Sequence, residues 1–183
     1  HYRFTLTQAL SQPDTDNNVS DGDSDRGADD QIVGGAFAVT VTDANGSSAS
    51  GTLNIAVNDD GPSATSLTLS ATEGQAPLTG VLPFVSGADG ASVTAINGTT
   101  LVFTNGWSQT FTGAHGSLRI RADGQYEFKV QGEEPYASGG TQNFTVTVTD
   151  ADGDKVDTTM AVTVADTIQT NFFTLDDVTV NEN

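Results

Sequence analysis

The sequence predicts an all-β protein made of antiparallel β-sandwich repeats with very little helix. Three observations carry that expectation. Apolar residues alternate with a period of two along several segments, Asp-Gly and Asn-Gly pairs interrupt those segments, and one block recurs about a hundred residues later. No window of ten or more residues places apolar side chains at i, i+3, i+4 and i+7, the spacing an amphipathic helix needs.

The strands follow in order. Phe37, Val39 and Val41 form an apolar face against Ala38, Thr40 and Thr42, and Leu53, Ile55 and Val57 repeat the pattern. Leu118-Arg119-Ile120 and Tyr126-Glu127-Phe128 make a second pair. Phe144, Val146 and Val148, then Met160, Val162 and Val164, make a third. Period-two runs rich in β-branched residues and bounded by turn formers are half-buried strands. Asp43-Ala44-Asn45-Gly46, Ala122-Asp123-Gly124 and Asp150-Ala151-Asp152-Gly153 lie between these runs. There the glycine supplies the positive φ a hairpin requires.

Phe37 to Asp59 aligns without a gap on Phe144 to Asp166 at an offset of 107, with 11 matches in 23 positions. Tyr2-Arg3-Phe4-Thr5-Leu6 matches Tyr126-Glu127-Phe128-Lys129-Val130 at an offset of 124, so the first copy carries 17 additional residues between the matched strands. Val178-Thr179-Val180 followed by Glu182 echoes Leu67-Thr68-Leu69 followed by Glu73. A period near one hundred suits tandem immunoglobulin- or cadherin-like sandwiches. On this reading 61–166 is a complete unit. Residues 1–60 are the closing strands of a preceding unit, with an Asp-rich insertion at about 14–30, and 167–183 is the opening strand of a following one. Three strands bury too little apolar surface to stand alone, so the terminal strand pairs with 1–60, or 1–60 lacks its partner, or the chain is one larger sandwich. A strand-like C-terminus and no signal-like N-terminus suggest a piece of a longer polypeptide.

Composition narrows the function. The 183 residues include 6 basic and 24 acidic ones, for a net charge of −18, and no cysteine. Disulfide scaffolds, zinc ribbons and thiol enzymes are excluded, as is binding to bare nucleic acid. No segment is long and apolar enough to insert into a membrane. His1 is terminal and His115 has no histidine or cysteine companion, so neither a zinc site nor a Ser/His/Asp triad is expected. Trp107, with Phe103 and Phe111 four residues to either side, reads as core or strand-face packing, with ligand stacking the alternative. The expectation is a protein that is not an enzyme.

The acidic residues fall into two groups. Asp14, Asp16, Asp21, Asp23, Asp25, Asp29 and Asp30 crowd the insertion, with Asn17, Asn18, Gly22, Gly27 and a single guanidinium, Arg26. Adjacent carboxylates repel by about 1 kcal/mol at 4 Å even in water. Calcium accepts six to eight oxygen ligands in flexible geometry, whereas magnesium demands a strict octahedron. Calcium binding is therefore expected here, against the alternative of a solvated acidic loop. The spacing is neither an EF-hand nor a nonapeptide calcium roll. The second group is Asp59, Asp60, Glu73, Asp89, Asp150, Asp152, Asp154 and Asp166, placed where linkers and hairpins would meet at sandwich ends. Asp-Gly is also ordinary turn chemistry, and for Asp123 that is the better reading.

Gly113-Ala114-His115-Gly116-Ser117-Leu118-Arg119-Ile120-Arg121-Ala122-Asp123-Gly124-Gln125-Tyr126-Glu127-Phe128 resembles the GxxGxLxIxxDGxYxF core of VCBS-type repeats. Thr147 to Asp154 is similar to their VTDxDGD hairpin, and Asn58-Asp59-Asp60-Gly61-Pro62 to their inter-repeat linker. Such repeats occur in large RTX adhesins exported by type I secretion in Gram-negative bacteria. The resemblance implies an extracellular module on the bacterial cell surface that acts in cell adhesion as a calcium-rigidified extender, its partners being neighbouring repeats of the same polypeptide. The alternative is a calcium-dependent module for a peptide or glycan on a target surface, using the Asp-rich loop. Association through unpaired edge strands is a further option. The first copy has Asn45 and Ser47 where the pattern prefers Asp, which weakens that hairpin as a metal site.

Overall fold

The computed structural model describes residues 3–7, 31–58, 61–131 and 139–165. The chain is all-β, and no helix occurs among these residues. The period-two runs become the long strands. They are β1 (Gln31–Thr42) and β2 (Ser48–Asn58), then, at the end of the chain's described part, β14 (Gly140–Asp150) and β15 (Lys155–Ala165). Between them lie β3 (Ser63–Ala64), β4 (Leu67–Thr72), β5 (Leu78–Val81), β6 (Phe84–Val85) and β7 (Ala91–Ile96). Four two-residue strands follow: β8 (Thr99–Thr100), β9 (Phe103–Thr104), β10 (Trp107–Ser108) and β11 (Phe111–Thr112). The last pair is β12 (Gly116–Ile120) and β13 (Gln125–Val130).

Two sheets enclose one core. A five-stranded sheet runs β4-β15-β14-β7-β8 and a four-stranded sheet runs β11-β12-β13-β5. Alternation is the physical cause. Phe144, Val146 and Val148 on β14 and Met160, Val162 and Val164 on β15 face inward, meeting Leu118, Ile120, Tyr126, Phe128 and Val130 from the opposite sheet. Phe128 meets Phe144 edge to face at 6.1 Å between ring centres, a geometry the ring quadrupoles favour. The intervening Thr145, Thr163 and Lys129 are exposed.

One pairing departs from the antiparallel expectation. β4 lies parallel to β15, with Leu67 beside Met160 and Thr72 beside Ala165. Period-two alternation is the same in both strand directions, so the sequence pattern carries no information on this point. Parallel strands need a long crossover, here the whole of the intervening sandwich.

β1 and β2 form a hairpin of their own sheet, with Phe37 opposite Leu53. Among the described residues no second sheet covers its apolar face. Phe37, Val39 and Val41 are 47%, 46% and 66% exposed, whereas their repeat counterparts Phe144, Val146 and Val148 are buried. Phe4 from the 3–7 segment shares a small cavity with Phe37, Leu53 and Ile55.

Candidate metal centre

The antiparallel register of β7 and β14 sets Ala91 opposite Asp150. Asp89 stands two residues before Ala91, and the Asp150–Asp154 turn leaves β14 at the same level. Strand pairing thus carries three carboxylates to one end of the sandwich. One oxygen each from Asp89, Asp150 and Asp152 lies within 4.8 Å of the other two. Two oxygens on a single calcium, each at 2.3–2.6 Å, are at most about 5 Å apart, so the spacing suits one shared ion.

Asp150 is 9% exposed. The Gly153 amide donates to Asp150 Oδ1 at 3.0 Å, and the Asp150 amide donates to the Asp154 carbonyl at 3.1 Å. Asp150 Oδ2 and both carboxylate oxygens of Asp89 are buried with no hydrogen-bond donor. Asp152 Oδ1 and Asp154 Oδ2 are also shielded from solvent. Buried oxygens without donors are costly. Burial above all, then the shared hydrogen bond and charge of Asp152 and the charge of Asp89, push the Asp150 carboxyl up to about 6, while the Gly153 amide pulls the other way. At this spacing the groups can share a proton or a cation, and the all-carboxylate donor set fits a divalent ion that takes oxygen ligands.

The first hairpin solves the same geometry differently. Asp43 Oδ1 accepts from the Asn45 amide at 3.0 Å and the Ser47 amide at 2.9 Å, and the Ser47 hydroxyl donates to Asn45 Oδ1 at 2.9 Å. Neutral Asn45 and Ser47, standing where the second hairpin has Asp152 and Asp154, tie the turn together with internal donors and leave it exposed.

Of the remaining acidic residues, Glu73 lies at the opposite end, where its amide donates to the Ala165 carbonyl at 3.0 Å. It is not brought to the Asp89 cluster. Asp14, Asp16, Asp21, Asp23, Asp25, Asp29, Asp30, Asp59, Asp60 and Asp166 lie outside the described residues. Asp123 does turn work, its Oδ1 accepting from the Gln125 amide at 3.1 Å. Trp107 is strand-face, not core: it lies half-buried with the Arg119 guanidinium 4.6 Å and the Arg121 guanidinium 5.8 Å from its ring centre. Nothing in the local sequence motif marks Arg119 and Arg121 as a pair beside Trp107 except their spacing of two on a strand, which puts both on one face.

The family model described as bacterial Ig domain matches residues 58–165, the span that contains both sheets and this cluster. The chain belongs to the bacterial Ig domain family. Bacterial Ig-like domains are commonly extracellular or surface-exposed, and the family is typically non-enzymatic. Among the described residues no helix of this bacterial Ig-like chain is long and apolar enough to cross a membrane. A search of curated proteins returns no match.

Proposed function

We propose that the chain is a calcium-rigidified extender from a large RTX-type adhesin, exported by type I secretion and acting in cell adhesion on the Gram-negative surface. The observation that carries the calcium reading is the convergence of Asp89, Asp150 and Asp152, with two of the three contributing buried oxygens that no donor reaches. An ion there ties the loop before β7 to the β14–β15 turn, adding to the strand pairing that already brings them together. Because the ion binds the folded arrangement and not the unfolded chain, its binding energy adds to stability. The chain then stays loose where calcium is scarce and stiffens where it is plentiful.

Neighbouring repeats are the partners in this account. Residues 1–60 are the closing strands of a preceding unit, 61–166 a complete one and 167–183 the opening of a following one. The open face of Phe37, Val39 and Val41 supports this, since the equivalent face of β14 is buried by a second sheet. The Asp-rich insertion supports the alternative of a module that binds peptide or glycan through calcium.

The test is thermal unfolding with and without chelator. Chelation lowers the melting temperature of the full chain by several degrees or more, and Asp89→Asn combined with Asp150→Asn removes part of that response. A melting temperature indifferent to chelation overturns the calcium reading. Deleting 14–30 separates the two roles: loss of target binding with folding intact favours recognition over extension.

A further inference from the structure

A second cluster, of opposite charge, occupies the outer face of the four-stranded sheet. The whole chain has six basic residues, and three of them, Arg119, Arg121 and Lys129, share this face. The pleat puts them there: Leu118 and Ile120 are buried, so Ser117, Arg119 and Arg121 point outward, and buried Tyr126, Phe128 and Val130 leave Glu127 and Lys129 outward on β13. The register sets Arg119 opposite Glu127 and Ser117 opposite Lys129.

The short strands β9 to β11 arch back across β12. The Ile120 amide donates to Ser108 Oγ at 3.0 Å, and that hydroxyl donates to the Gln109 carbonyl at 2.8 Å. The anchor lays Trp107 against both guanidinium groups. Arg119 is held twice, by Glu127 at 3.0 and 3.1 Å and by the Trp107 ring at 4.6 Å. Between this arch and β13 opens a cleft of about 240 Å³, lined by Thr110, Ser117, Leu118, Arg119, Glu127 and Lys129. Lys129 makes no ion pair among the described residues and is exposed.

We propose that this cleft binds a carboxylated saccharide, with the carboxylate of a uronic-acid ring on the Lys129 ammonium. Thr110 and Ser117 offer hydroxyls, and Glu127 offers an acceptor, to the ring's own hydroxyls. The volume lies below the roughly 300–1,000 Å³ of sites for drug-sized ligands, which suits one ring. One cation with no ion pair among the described residues matches one carboxylate per ring. An acidic peptide brings successive carboxylates to a place with Glu127 in its wall, on a chain of net charge −18, and is disfavoured. The cleft shares no residue with the Asp89 cluster, so saccharide binding here does not depend on the calcium reading.

Trp107 is the chain's single tryptophan, so intrinsic fluorescence reports from beside the cleft. The full chain is titrated with D-glucuronate, with glucose and with oligoglutamate at constant ionic strength, each in calcium and in EDTA. The expected result is a saturable change with glucuronate in both conditions and none with glucose. Lys129→Ala weakens it about tenfold or more, as loss of a charged hydrogen bond does, and Lys155→Ala leaves it unchanged. No saturable response to glucuronate, an equal response to glucose, or an unaltered Lys129→Ala variant overturns the proposal. Saturation by oligoglutamate in place of glucuronate makes the site a peptide site and overturns it too. A response confined to calcium assigns binding to the acidic sites and likewise overturns it, whereas a response kept in EDTA survives any failure of the calcium reading.

Discussion

Asp150 makes the pH dependence of stability a sharp test. Its carboxyl is pushed from 3.8 up to about 6 in the folded, metal-free protein, by burial first and by Asp152 and Asp89 next. The folded state therefore holds this proton more tightly than the unfolded chain does. The resulting stabilisation is full below pH 3.8 and is lost as pH rises through about 6. A shift of about two units is worth on the order of 3 kcal/mol. For a domain of roughly one hundred residues each kcal/mol moves the melting temperature by about 4 °C or more, so the loss is ten degrees or so. Asp150→Asn isolates this group, because the amide oxygen still accepts from Gly153 while nothing titrates. Melting followed by circular dichroism in EDTA should show wild type losing stability relative to Asp150→Asn between pH 4 and 7. Millimolar calcium should close the gap above pH 6, where the ionised site is free to bind it, and do little near pH 4. Parallel pH profiles for wild type and variant in EDTA would refute the reasoning.

Two further expectations concern the frame around the site. Gly116→Ala places a methyl group into the Phe128 ring and the Lys129 carbonyl oxygen, and should cost about 1–3 kcal/mol in urea unfolding; a neutral result would contradict the packing described. Ser108→Ala removes the acceptor of the buried Ile120 amide and should cost roughly 1–3 kcal/mol, with a shift in Trp107 emission as the arch loosens. An unshifted spectrum would mean that the arch is held by other contacts.

How much of this the sequence discloses follows from range. β1, β2, β14 and β15 are legible because their alternation is long and uninterrupted, and the turns at Gly46, Gly124 and Gly153 because each has a positive φ. β12 and β13 lie inside the stretch that resembles VCBS-type repeats. The two-residue strands β3, β6 and β8 to β11 are too short to show a period, and for that reason Trp107 could not be assigned to core or face. The acidic turn at Asp150 to Asp154 is visible as a motif. Its joining to Asp89, about sixty positions away, depends on the β7–β14 register, which no local pattern encodes. Glu73 looked equivalent to Asp89 in sequence, yet the direction of β4 along β15 carries it to the other end of the sandwich.

Anomalous diffraction from crystals grown in millimolar calcium would test the metal site most directly. A calcium peak is expected about 2.3–2.6 Å from oxygens of Asp89, Asp150 and Asp152, lost in Asp150→Asn crystals grown the same way. Well-ordered carboxylates at that position with water or nothing between them would contradict a shared ion.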